Sequence, residues 1–203
     1  MRKISKFMFV ICMLVLLFYF GILVADKQTL RTKIIRLHVV GNSNCADDQT
    51  EKLAVRDAVL GRLEECLDGV DNVSDAKEVI RINLSSINEV ANTALSKLCS
   101  EHYATTTLAP EKFERREYKT FSLPTGVYES LKVQIGTGQG KNWWCVVFPA
   151  LCIPFTTEMF QSTAVSRGFN PGLATTLSNE PTYEFRFLLL DYLGKIENFL
   201  FFL

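Results

Sequence analysis

The chain opens with Arg2, Lys3 and Lys6, runs apolar without interruption from Phe7 to Val24, and turns polar again at Asp26 and Lys27. Such a run is long for a signal-peptide core and just long enough to cross a bilayer as a helix. Positive charge ahead of it holds that end in the cytoplasm and sends the remainder across. Ala25 is small, but Leu23 and Val24 before it do not suit a cleavage site, so an uncleaved signal anchor is favoured over a cleaved signal within residues 1–27. Under either reading the chain beyond Lys27 is expected outside the cytoplasm, anchored or secreted, where disulfides persist.

Lys33 to Val40 alternates with β-branched residues and predicts the first strand of a domain covering residues 33–155. Gly41 to Gln49 has turn chemistry, with Asp47 or Asp48 placed to cap a helix whose apolar positions are Leu53, Val55, Val59, Leu63, Cys66 and Leu67. Ser74 is placed to cap a longer helix, in which Ile80, Leu84, Ile87, Ala91, Ala94, Leu95 and Leu98 form one stripe. Extended segments follow at Tyr103 to Leu108, Phe113 to Leu123, Val127 to Ile135 and Trp143 to Phe148, the last stopped by Pro149. The order strand, helix, helix, strands predicts an α+β two-layer sandwich: a mixed or antiparallel sheet covered by two helices, behind an N-terminal transmembrane or signal helix. Residues 156–183, rich in Thr, Ser, Asn, Gly and Pro, are expected to be a flexible linker, and residues 184–203 an amphipathic helix lying on the membrane, on a partner or on its own domain.

Composition narrows the chemistry. The chain has 203 residues, 48% of them hydrophobic, and no net charge, so nucleic-acid binding has no electrostatic footprint. Two histidines and six cysteines without a Cys-x-x-Cys spacing suggest no dedicated metal site. Gly136, Gly138 and Gly140 are spaced Gly-x-Gly-x-Gly and precede a strand, whereas a dinucleotide fingerprint needs a helix there, and Lys141 is followed by Asn142 where a phosphate loop has Ser or Thr. The glycines therefore predict a tight hairpin turn, and neither a cofactor nor a small-molecule substrate is expected.

Two readings of the cysteines stand. Cys145 and Cys152 bracket the last strand and form a candidate disulfide or two buried thiols. Either, with His38 or His102 as base, would make an exported cysteine-dependent hydrolase acting on peptide or cell-wall material. Trp143 and Trp144 must point to opposite faces of their strand, so one anchors the core and the other is a candidate contact for a partner.

Three segments, IIRLHVVGNSN with DDQ at Asp47 to Gln49, KLAVRDAVL at Lys52 to Leu60, and LPTGVYESLKVQIGTGQGKNWWCVVFPALC at Leu123 to Cys152, resemble the stage II sporulation protein R family, the last nearly residue for residue. Where that family has Phe-Pro-Thr-Arg-x-Tyr-Gly, this chain keeps Phe113, Arg116 and Tyr118. The resemblance implies an intercompartmental signal, exported from the forespore into the space between two membranes. There it would activate a membrane-bound aspartic protease that processes the sigma-E precursor in the mother cell. It implies a ligand and not an enzyme, with Trp143, Trp144, Asn142, Arg116 and Tyr118 as the candidate partner-binding residues.

Overall fold

A computed structural model describes residues 2–149, 157–178 and 184–201. The apolar run belongs to a helix longer than the run itself, α1, Arg2–Lys33. Its residues 4–20 are almost wholly exposed, which by length and composition suits a membrane span. Its last turns are not a tether, because Leu23, Asp26 and Leu30 are buried in the domain. The first strand, β1, Ile35–Val40, accordingly starts two residues later than the alternation suggests.

Five further strands and six further helices follow among the described residues. They are α2 Ala46–Leu67, α3 Val73–Ile82, α4 Leu84–Lys97, β2 Ala104–Phe113, β3 Arg116–Glu117, β4 Ser122–Leu123, β5 Gly126–Ile135, β6 Asn142–Phe148, α5 Thr157–Ser166, α6 Pro171–Leu177 and α7 Glu184–Leu200. The main sheet has the order β2-β5-β1-β6, with β1 parallel to β5 and antiparallel to β6, and β2 antiparallel to β5. It is the expected mixed sheet of an α+β fold. Pro110 lies on β2, an edge strand, where a missing N–H is tolerated.

The caps differ from those the sequence suggests. Helix α2 is capped by Cys45, whose Sγ accepts from the Asp48 N–H at 3.4 Å, and α3 by Asn72, whose side chain accepts from Asp75 N–H at 2.9 Å. The long second helix is split at Asn83, whose Nδ2 donates to Val79 O and whose Oδ1 accepts from Arg62, so the side chain competes locally with the helical ladder.

Val55, Val59, Leu63, Ile80, Ile87, Ala91 and Leu95 of α2 to α4 pack on Ile35, Leu37 and Val39 of β1 and on Leu131, Val133 and Ile135 of β5, forming the predicted helix-on-sheet core. The other sheet face is covered too. Leu23, Leu30 and Ile34 join Phe160, Phe169, Leu173, Leu177, Phe187 and Leu190 in a second core with Phe113, Tyr128 and Val146. Burial on both faces explains why β1 has no exposed position.

The segment expected as a linker therefore contains α5 and α6. Its polar residues satisfy turns and caps, as when Asn170 caps α6 from its Oδ1 to Leu173 N–H at 2.7 Å, while Phe160, Phe169 and Leu173 supply sparse anchors too few to show as a period. Helix α7 docks on its own domain: Asp191 accepts from Thr125 N–H at 2.8 Å and Glu197 pairs with Lys27 at 3.0 Å.

The glycine segment is not a hairpin turn. β5 and β6 run antiparallel but β1 lies between them, so residues 136–141 must pass over the chain leaving β1. Gly136 and Gly138 have φ of +54° and +66°, and Gly140 N–H donates to Gly41 O at 2.8 Å, so close that a Cβ there would meet the Ser43 and Gly41 backbone.

Candidate functional site

Alternation along β1 sends Arg36 and His38 to the face opposite the α2 to α4 layer. Arg36 is fully buried, its guanidinium 3.8 Å above the Phe113 ring and 5.1 Å from that of Tyr128. It donates to Tyr118 Oη at 3.1 Å, while its Nε and Nη1 have no hydrogen-bond partner among the described residues. Burial lowers its pKa against the smaller support of Tyr118 and Tyr128. His38 stacks on Trp144 at 3.6 Å between centroids, and Phe113 meets Trp144 edge-on at 5.0 Å. The His38 Nδ1 lies 3.0 Å from both Glu111 oxygens and its Nε2 3.0 Å from Asn142 Oδ1. Burial pushes the Glu111 carboxyl up, but His38, the Ser130 hydroxyl and Lys132 together outweigh it and bring Glu111 to about 2.

Four of the five candidate contact residues thus meet. The exposed Arg116 lies 5.2 Å from the Trp144 ring, Asn142 holds His38 beneath the indole, and Tyr118 reaches Arg36 from the β3–β4 turn, where its N–H donates to Phe121 O. Trp143 is the exception. It packs on the first core and carries Arg56 at 5.3 Å, so the two indoles do face opposite ways, and both are half-buried. The three positions shared with the family's edge motif, Phe113, Arg116 and Tyr118, each touch Arg36 or Trp144. Arg36 and Glu111 went unremarked in the sequence. The available signal was a cation and an imidazole at the two inward positions of an otherwise apolar strand.

A second cluster forms at the far end of β1. Asp48 accepts from Asn42 Nδ2 at 2.8 Å and faces His102 Nε2 at 3.2 Å, and the Ser43 and Asn42 side chains hold its carboxyl at about 2. The ligand atoms of Asp48, Glu51 and His102 lie within 4.8 Å of one another, an arrangement able to hold a metal that no sequence spacing announced. Asn42 also ties this loop to the glycine segment through Thr137 N–H at 3.0 Å.

Cysteine chemistry finds no geometry among the described residues. Cys145 is buried and disulfide-bonded, and it faces the first core while His38 faces the second. Cys12, Cys45, Cys66 and Cys99 are free thiols, and Cys152 lies outside the described residues.

A family model described as Stage II sporulation protein R matches residues 31–158. A curated relative from Bacillus subtilis (strain 168), named Stage II sporulation protein R, is 32% identical over 118 residues, or 58% of this chain. The match spans 53% of that relative, about half its length. No solved structure matches.

Proposed function

This chain belongs to the stage II sporulation protein R family, and on that premise we propose that it is an extracytoplasmic sporulation signal, exported from the forespore, that activates a membrane-bound aspartic protease by contact. The protease then processes the sigma-E precursor in the mother cell. The chain contributes a surface and no chemistry of its own.

The observation that carries this reading is the patch built on Trp144: a half-buried indole held from beneath by His38, flanked by the exposed Arg116 and Asn142. An aromatic stacked on a buried partner has little freedom left to lose on binding, which is what a contact hot spot requires. Lys27 meets Thr125 at the start of β5, while Arg31 and Thr32 line a cleft with Val127 to Glu129, so β5 climbs in the direction of α1. The parallel β1 climbs with it, and Asn142 pairs with Val40 at its end. With α1 in the bilayer, the patch lies on the half of the sheet remote from the membrane.

Activation asks for little energy. A surface that binds the active form of a protease about 1.4 kcal/mol better than the inactive form shifts that equilibrium tenfold. The disulfide of Cys145 belongs to the same reading with Cys152 as its partner, a bridge suited to an exported domain.

The test is precursor processing in sporulating cells carrying Trp144→Ala with Arg116→Ala. We expect processing to fall at least tenfold, the loss of roughly 1.4 kcal/mol or more at a hot spot, with the variant present at normal abundance. Unchanged processing would remove this patch from the account.

A further inference from the structure

Helix α7 divides its residues by chemistry. Phe187, Leu190, Asp191 and Gly194 face the domain. On the opposite side Phe185, Leu188, Tyr192, Ile196 and Phe199 recur at i+3 and i+4 and are 43–74% exposed, with Leu200 beside them. Among the described side chains, Arg186 pairs with the buried Asp26, Glu197 with Lys27 and Arg31, and Asp191 with Thr125, all turned away from this stripe. Lys195, 3.3 Å from Asp191, stays at its border.

The orientation of α7 follows from those pairs. Arg186 and Glu197 are about 16 Å apart along α7 at 1.5 Å per residue, yet Asp26, Lys27 and Arg31 lie within about 8 Å along α1. Both ends of α7 reach one level of α1 only if α7 lies steeply across it. That level is just beyond the apolar run, and the second core reaches down α1 to Leu23 and Tyr19, inside the run. No spacer separates the domain from the bilayer.

We propose that the exposed stripe of α7 is seated in the lipid interface of the membrane that α1 spans. A helix that crosses an inserted helix lies near the membrane plane. One that shows Phe, Leu, Tyr and Ile there, with a lysine at the border, has the composition of an interfacial helix. Two attachments, α1 and α7, fix the tilt of the domain and hold the Trp144 patch at one height above the surface. Helix α7 lies beyond the family-matched residues.

The proposal rests on insertion of α1, and the experiment separates the two. The full chain carrying Tyr192→Trp is reconstituted in vesicles of phosphatidylethanolamine and phosphatidylglycerol whose acyl chains are brominated near the headgroup. We expect the chain to float with the vesicles. The emission added at position 192 should be blue-shifted and mostly quenched by bromine, while that of Trp143 and Trp144 is retained. Flotation with an added emission that is red-shifted and open to aqueous acrylamide overturns the seating of α7. So does flotation with an emission shielded from both quenchers, which would mean that a second copy or a partner covers the stripe. A chain that does not float overturns the insertion of α1 and the proposal with it.

Discussion

Glu111 shows how much a single position carries. It holds one side of His38 while Asn142 holds the other, and together they set the plane on which Trp144 rests. Its folded-state pKa of about 2 lies below the ordinary 4.5, so between those values the unfolded chain takes up a proton that the folded chain refuses. The contribution of Glu111 is therefore complete above about pH 4.5 and is lost as the pH falls toward 2. Urea unfolding of the detergent-solubilised chain across this range should show stability declining, and Glu111→Gln should flatten part of the decline; an equally steep decline in the variant would mean the His38 pair is not formed. At this scale the sequence was partly legible. Opposed indoles follow from the period of a strand, but the partners of Trp144 come from β1, β2 and β3, and no local pattern reports which strands become neighbours.

Among the elements, α1 and β1 decide the architecture. Leu30, 1% exposed, and Asp26, 0% exposed, make the last turns of α1 part of the second core. Leu30→Ala should cost about 2–5 kcal/mol, as for other buried leucines, in a denaturant titration of the full chain; a cost near zero would show that these turns only tether the domain. The same packing opposes removal of the chain up to Ala25, since Leu23 and the helical turn that presents Asp26 to Arg186 would go with it. Periodicity revealed α2 and α4 because each turns one apolar face inward, and β5 and β6 as apolar runs, but it stopped the edge strand β2 at Leu108 where pairing with β5 carries it to Phe113. It missed the insertion of β1 between β5 and β6, which is set by pairing across about a hundred residues. It missed α5 and α6 because their few apolar anchors sit among polar capping residues. Gly194 records another long-range demand: a Cβ there would strike the Thr125 carbonyl, so a residue poor for helices is what lets α7 reach the start of β5.

The whole molecule is a sheet with helices on both faces, standing on one long apolar helix with α7 laid across its foot. The glycine crossing and the Asp48 loop lie at the remote end, and the Trp144 patch on the flank above α7. On the proposed reading, this arrangement displays one surface at a set height to a partner protease. The most direct measurement is sigma-E precursor processing in sporulating cells that lack this chain but retain the protease at normal abundance. The account predicts that the precursor accumulates uncut and that restoring the chain restores cleavage. Ordinary processing in its absence would contradict it.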